Sequence, residues 1–438
     1  MSQPFHVGPR QTGANESLMK ALIRSSLFPI AVLIVLSAQT LASRDLHEEG
    51  PWSEPAPQGQ WYHDHHLSHE QRLSQLRAVG FVKHNISCPE LNNLTFTNQP
   101  PFDVLGVPEC SAGVQPKMML YLPSNVTCLL NSSYLPNNET SGCLAEFQTH
   151  KKVDKLIILI HGFLKYFDTK WLHEMQSEIM AMEPNTAAII VGWGHGMYDI
   201  VNFWRAASNT RYISQAMYDI VEQILRDVNP NLYLHCIGHS LGAHACGFLG
   251  KKLTDNPKTK QLDRLSGLDP AGPLFCNDVP YPFHNLDIQP DARLGPHDAK
   301  LVDNIHTDGD ARYLGVLPQY GTMEPLGTVD FYPGQKGSYG HNQPGCYDIF
   351  NVISCSHSRA WQLYEASIEE VTCSATEKCQ GNPKKIPQNC SPLKKGTVTM
   401  GYHWDTKHPK PGMFIVEETG SAPFCTDSHP FNRTQTNL

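Results

Sequence analysis

The chain has 438 residues, of which 40% are hydrophobic and 17% charged, so it is long enough to bury a sizeable core and too apolar to stay unfolded. Its formal charge of −8, with histidine neutral, argues against a nucleic-acid partner.

The N-terminus reads as a targeting segment. Met19-Lys20 opens a positive stretch with Arg24, an apolar run from Leu27 to Leu36 follows, and Thr40-Leu41-Ala42 fits a cleavage site. The run is short for a membrane span, so residues 1–42 are expected to be a leader with a signal peptide, starting at Met1 or Met19; a signal anchor is the competing reading. All 13 cysteines lie beyond that segment, which suits an oxidising compartment, and their odd number leaves at least one outside a disulfide. N-glycosylation sequons stand at Asn85, Asn93, Asn125, Asn131, Asn138, Asn389 and Asn432. Together these features predict a secreted, extracellular glycoprotein.

Residues 43–80 are rich in Pro, Gly, His and charge and read as poorly ordered or as a pro-segment. Ser68 with Gln71 would cap a short helix reaching Val79. His63, His65, His66 and His69 read as a solvated polar tract rather than a metal site. From there the apolar runs alternate in type. Strands are expected at Lys117–Leu122, Lys155–Ile160 and Ala187–Val191. An amphipathic helix is expected over Arg211–Val228, where Tyr212, Ile213, Ala216, Met217, Ile220, Val221, Ile224 and Leu225 share one face. Leu232–Ile237 is a further strand, a helix starts near Leu241, and Arg264–Leu268 and Leu301–Ile305 complete the series. Strands alternating with helices predict an α/β fold with a mostly parallel sheet covered on both faces. No internal repeat is visible.

The chemistry concentrates at Gly238-His239-Ser240-Leu241-Gly242. A G-x-S-x-G match alone is weak, but here an apolar strand leads in and a small-residue helix leads out, as the nucleophile elbow of the α/β-hydrolase fold requires. Such a turn lifts the Ser240 hydroxyl above the sheet edge at a helix N-terminus, where developing negative charge is favoured. A serine nucleophile needs a base, and the base an orienting carboxylate, in the chain order Ser, acid, His. Asp269 follows the strand Arg264–Leu268 and precedes Pro270; Asp303, Asp308 and Asp310 compete with it from within or after the next strand. For the base, both His357, in Cys355-Ser356-His357-Ser358-Arg359, and His306, at a strand end, fit the order. The oxyanion hole needs two backbone N–H groups, one from Leu241 and one from the loop after an early strand, where His161-Gly162-Phe163 offers Phe163.

The segments HGF at 161–163, GHSLGAH at 238–244, GLDPAGPLF at 267–275, DAKLVDNIHTDG at 298–309, VDFYPG at 329–334 and CSHSRA at 355–360 together resemble the pancreatic lipase family of secreted lipases and phospholipases A1. The resemblance spans about residues 117 to 420. It implies Ser240, Asp269 and His357 as the triad, and Phe163 and Leu241 as oxyanion donors. It also implies a lid closed by a disulfide between Cys346 and Cys355, which enclose only Tyr347–Ser354. Short lids are typical of the family's phospholipases A1. The long segment between His306 and Phe331 is instead like its triacylglycerol lipases.

Other implied features are in doubt. Digestive relatives hold a structural calcium in a loop aligning with Asp291–Asp298, but Gly295 stands where an acidic ligand is expected, so no metal and no cofactor are assigned. The C-terminal β-sandwich of those relatives is not expected after Cys425, which leaves residues 426–438 as a tail and 81–425 as the lipase domain, with no colipase partner. Cys373, Cys379 and Cys390 sit where the family has further bridges. Lys378, Lys384, Lys385, Lys394 and Lys395 form a solvated loop or a weak site for anionic lipid or a polyanion such as heparan sulfate. The expected function is release of fatty acid from lipid esters at an interface or membrane surface, by a Ser-His-Asp acyl-enzyme route. The alternative is a non-catalytic lipid-binding or storage protein on the same scaffold.

Overall fold

The structure is a computed structural model that describes residues 85–130, 138–163, 165–193, 203–277, 287–309, 320–346, 355–369, 373–386, 388–394, 396–422 and 424–425. The chain divides into residues 1–65 and 66–438, and all described residues belong to the second unit. The expected helix at Ser68–Val79 and the histidine tract at His63, His65, His66 and His69 lie outside the described residues.

In chain order the strands are β1 (Asn85–Cys88), β2 (Leu94–Thr97), β3 (Pro116–Leu122), β4 (Val126–Leu130), β5 (Lys155–Ile160), β6 (Thr186–Trp193), β7 (Tyr233–His239), β8 (Leu262–Leu268), β9 (Ala299–Ile305), β10 (Val329–Gly334), β11 (Cys373–Ala375), β12 (Glu377–Cys379), β13 (Cys390–Pro392), β14 (Val398–Met400) and β15 (Gly412–Glu417). The helices are α1 (Ser111–Val114), α2 (Asn138–Thr149), α3 (Lys170–Met182), α4 (Phe203–Asp227), α5 (Leu241–Asp255) and α6 (Cys355–Glu369). The main sheet has 11 strands in the order β13-β12-β15-β10-β9-β8-β7-β5-β6-β3-β4. From β6 to β15 every pairing is parallel, while β3 and β4 on one edge and β12 and β13 on the other run antiparallel.

Side-chain alternation explains why the central strands are apolar without a break. In β5, Leu156, Ile158 and Ile160 point into a core that holds Ala206–Ile224 of α4 and Leu241–Leu253 of α5. Ile157 and Leu159 point into the opposite core, with Trp171–Ile179 of α3 and Ala360–Ile368 of α6. Each such side chain contributes about 2 kcal/mol when fully buried, so the six residues KLIILI are committed to the sheet centre. All six predicted strands are present.

The long helix α4 starts at Phe203, eight residues before the predicted Arg211. Its first turns carry Ser208, Asn209 and Thr210, all buried, and polar residues there hide the apolar periodicity. They are buried because the segment 97–109 covers them. Glu109 N–H donates to Asn209 Oδ1 at 2.8 Å, and Arg211 donates to the carbonyls of Thr97 and Gly106 at 2.9 and 2.7 Å.

A buried ion pair ties the C-terminal segment to the sheet. Arg264 in β8 meets Asp303 in β9 through two hydrogen bonds of 2.8 Å, and its remaining N–H groups donate to the carbonyls of Gly401 and Tyr402 at 2.7 Å. Six disulfides join Cys88–Cys110, Cys128–Cys143, Cys236–Cys246, Cys346–Cys355, Cys373–Cys425 and Cys379–Cys390. The odd cysteine is Cys276, which is buried.

Candidate active site

The parallel strands deliver the predicted residues to one edge of the sheet. Strand β7 ends at His239, Ser240 turns with φ 58° and ψ −121°, and α5 begins at Leu241. A non-glycine residue at positive φ is uncommon and stored strain of this kind clusters at functional sites. The turn closes only because its neighbours lack side chains: a Cβ on Gly238 would lie 2.4 Å from Gly242 O, and one on Gly242 would lie 2.6 Å from Ile160 O. Ser240 N–H donates to Leu268 O at 3.0 Å, which fixes the elbow beside the end of β8.

Asp269 follows β8 directly, with φ 47° and no exposed surface. Its Oδ2 accepts from His357 Nδ1 at 2.6 Å, and its Oδ1 accepts from Thr307 N–H at 2.7 Å and Asp308 N–H at 3.1 Å. The carboxylate is therefore fully engaged, and the imidazole is held with a proton on Nδ1. His357 lies in the first turn of α6, its side chain 12% exposed. Its carbonyl accepts from Nε2 of His239, the residue before Ser240, at 2.9 Å, and the two rings lie 4.5 Å apart. Arg359, two residues further, pairs with the buried Glu418 just after β15 and so fastens this end of α6 to the sheet.

The other histidines near Ser240 are poorly suited to act as a base. Burial lowers His161 to about 4 and His244 to about 3. Burial, reinforced by the field of His357, pushes His239 well below the usual range. His306, which chain order left as a rival, is fully buried, donates from both ring nitrogens (to Thr322 O at 2.8 Å and Asp330 Oδ1 at 2.9 Å) and stacks on Tyr332. Burial opposes its charged form, but the hydrogen bond and charge of Asp330 outweigh this and raise it. The structure thus makes His306 a strut between β9 and β10.

Asp303 is spent on Arg264, and Asp310 lies outside the described residues. Asp308 is close: one carboxylate oxygen each from Asp269 and Asp308 and a ring nitrogen of His357 lie within 4.8 Å of one another. Its carboxylate accepts from Tyr320 N–H at 3.1 Å. Burial, then the negative charge of Asp269, hold Asp308 well above the ordinary carboxylate range, which disfavours a second negative charge beside Asp269. A neutral amide should replace it. Asp308→Asn is expected to keep kcat/KM within about threefold, under ~1 kcal/mol in barrier; a loss of several hundredfold in steady-state assays would show that its charge is needed.

Gly162 lies over Ser240: a Cβ there would sit 3.0 Å from its Oγ. This places the chain that carries Phe163 N–H against the Ser240 hydroxyl. Leu241 N–H is among the donors a helix N-terminus leaves without an intrahelical partner. The Phe163 ring meets Phe203 edge-on at 5.3 Å, giving the site an apolar flank. The sequence reading missed three neighbours: His239, Tyr320, whose ring lies 5.5 Å from His357, and Gly321, where a Cβ would fall 2.5 Å from Asp269 Oδ1. His239 lies inside the quoted motif, but nothing local to Tyr320 or Gly321 marks them.

Cys346 and Cys355 are bonded as expected, and the lid residues between them lie outside the described residues. The loop implied to hold calcium does not fit the ion. Asp298 Oδ1 meets Lys251 Nζ at 2.5 Å, Oδ2 accepts from Gly295 N–H at 2.8 Å, and Gly295 supplies no ligand. A hard cation needs several free oxygens. In the lysine-rich region, Lys378 donates to Pro411 O at 2.6 Å while Lys385 and Lys394 are exposed; Lys395 lies outside the described residues.

A family model described as Lipase matches residues 93–424. Lipase member H of Oryctolagus cuniculus is 29% identical over 358 residues, covering 77% of this chain and 68% of that protein. Phospholipase A1 of Vespa velutina is 30% identical over 284 residues, covering 62% of this chain and 83% of that protein. Phospholipase A1 of Polybia paulista is 31% identical over 301 residues, covering 65% and 84%.

Proposed function

Because the chain belongs to the lipase family and is a lipid carboxylic-ester hydrolase, we propose that Ser240, His357 and Asp269 perform the reaction and that its substrate is the sn-1 acyl ester of a phospholipid. The observation that carries the first part is the hydrogen bond of 2.6 Å between His357 Nδ1 and a buried Asp269 beside a strained serine elbow. Two of the relatives named above are called phospholipase A1, and the short span from Cys346 to Cys355 supports the second part. A short lid leaves the cleft rim free for a polar head group.

In this reading His357 Nε2 takes the Ser240 proton as Oγ bonds to the ester carbonyl carbon. The resulting oxyanion is met by the N–H groups of Phe163 and Leu241. The ester C–O bond then breaks, His357 gives its proton to the leaving lysophospholipid alkoxide, and the fatty acyl group stays on Ser240. Water, deprotonated by the same His357, attacks the acyl carbon; the bond from that carbon to Ser240 Oγ breaks, His357 returns the proton to Oγ, and the fatty acid leaves. Asp269 holds the imidazole through its hydrogen bond to Nδ1 and stabilises the imidazolium.

Secretion belongs to the same proposal. The six disulfides among the described residues suit an oxidising compartment, as does the leader pattern. Asn85, Asn93 and Asn125 are exposed and open to glycans. Asn389 is half-buried and donates to Asn382 O at 2.9 Å, so a glycan there would break a turn. The side chains of Asn131, Asn138 and Asn432 lie outside the described residues.

The deciding assay presents the secreted protein with phosphatidylcholine vesicles labelled at sn-1 or sn-2 and with a triacylglycerol emulsion. Selective release of the sn-1 label is the expected result. Faster release from the emulsion would make the enzyme a triacylglycerol lipase. The observation on that side is the long segment between His306 and Phe331.

A further inference from the structure

We infer that Lys251 is a built-in cation: its ammonium fastens the loop 290–298 to α5 at the place where the family resemblance implies a bound calcium ion, so that this protein folds without calcium. The loop lies directly on the helix. A Cβ on Gly247 would sit 2.9 Å from Leu294 Cα, and one on Gly250 would sit 1.9 Å from Asp298 O. One turn earlier, His244 Nδ1 accepts from Leu294 N–H at 3.1 Å, while its Nε2 donates to Ala271 O at 2.8 Å. Lys251 follows on the same helix face. Its Nζ meets Asp298 Oδ1 at 2.5 Å, with side-chain exposures of 23% and 4%. Asp291, which is exposed on the same loop, adds negative potential at Asp298. A nearly buried carboxylate with a second acid nearby needs a positive charge. Here that charge is covalently part of α5.

The position next to it explains how the two solutions relate. At Gly295 an added Cβ meets nothing within 4 Å, so an acidic side chain fits there, and an aspartate would restore an oxygen-rich pocket once the ammonium is gone. The loop matters to the active site because it leads into β9, whose end presents Thr307 and Asp308 N–H to Asp269.

The test is thermal unfolding of the secreted protein and its variants in millimolar calcium chloride and in EDTA, independent of any lipid assay. The unaltered protein is expected to melt at the same temperature in both, since a ligand that does not bind cannot shift the transition. Lys251→Met should melt roughly 5 °C or more lower, and Lys251→Arg should recover most of the loss. Lys251→Met with Gly295→Asp should melt several degrees higher in calcium than in EDTA. If Lys251→Met does not fold, Lys251→Met with Asp298→Leu, which removes both charges, should. A calcium-dependent melting point in the unaltered protein would overturn the inference. So would an unchanged melting point in Lys251→Met, a double variant blind to calcium, or an unfolded charge-free pair.

Discussion

Ser240→Ala is expected to lower kcat for lipid ester hydrolysis by roughly 10⁵- to 10⁶-fold, the scale seen when a nucleophile is removed from an intact triad. No other hydroxyl shares its position at the elbow, where β7 hands the chain to α5. The fold should be untouched. Alanine keeps the Cβ that the site already accommodates, and the backbone bond from position 240 to Leu268 O does not use the side chain. The melting point should therefore stay within about 2 °C of the parent, consistent with a substitution that creates no cavity and orphans no buried charge. Loss of activity accompanied by a large drop in melting point would assign Ser240 a structural part instead.

Asp269→Asn is the second large effect, a loss of roughly 10⁴-fold in kcat. The physical reason is the tautomer. Asp269 Oδ2 accepts from His357 Nδ1 at 2.6 Å, while Oδ1 is already engaged by Thr307 and Asp308 N–H. An amide in that place keeps its oxygen on those two backbone donors and turns its NH2 toward His357. His357 must then accept at Nδ1 and carry its proton on Nε2, the nitrogen that should receive the proton of Ser240. Asp308 does not rescue this, because burial disfavours its charged form and its carboxyl accepts from Tyr320 N–H. The pair of variants is therefore diagnostic: two carboxyl groups within 4.8 Å of one another, one needed as a charge and the other only as a shape. Equal losses in Asp269→Asn and Asp308→Asn, measured by steady-state kinetics on one substrate, would contradict this division.

Much of the sheet was legible because its centre obeys a local rule. A strand buried on both faces is apolar almost throughout, and Leu156–Ile160 in β5 and Ala187–Val191 in β6 are unbroken apolar runs of strand length. The edges were not legible. Strand β12 is Glu377-Lys378-Cys379, three residues with no apolar alternation, and it is a strand only because β15 and β13 pair with it. The start of α4 was missed for a similar reason, since Ser208, Asn209 and Thr210 are buried by a segment about a hundred residues away.

At the site, the elbow and the strand-end aspartate could be read from spacing, while the choice between His357 and His306 could not. Both follow the right order. They differ in surroundings that no short motif records: Asp330 and Thr322 claim both nitrogens of His306, whereas Asp269 claims one nitrogen of His357. The anchoring of the His357 carbonyl by His239 crosses 118 residues, and the Lys251–Asp298 pair crosses 47. Contacts of that kind are set by topology, and only the folded sheet brings them together.

The most direct test of the central claim is covalent trapping. The secreted protein, with disulfides intact, is treated with an organophosphonate that mimics the tetrahedral intermediate and is then digested and mapped by mass spectrometry. One equivalent of label on Ser240, absent from Asp269→Asn over the same interval and accompanied by complete loss of lipid hydrolysis, is the result expected of an activated nucleophile. Label on another residue with Ser240 unmodified, or full hydrolysis by protein that carries the label on Ser240, would contradict it.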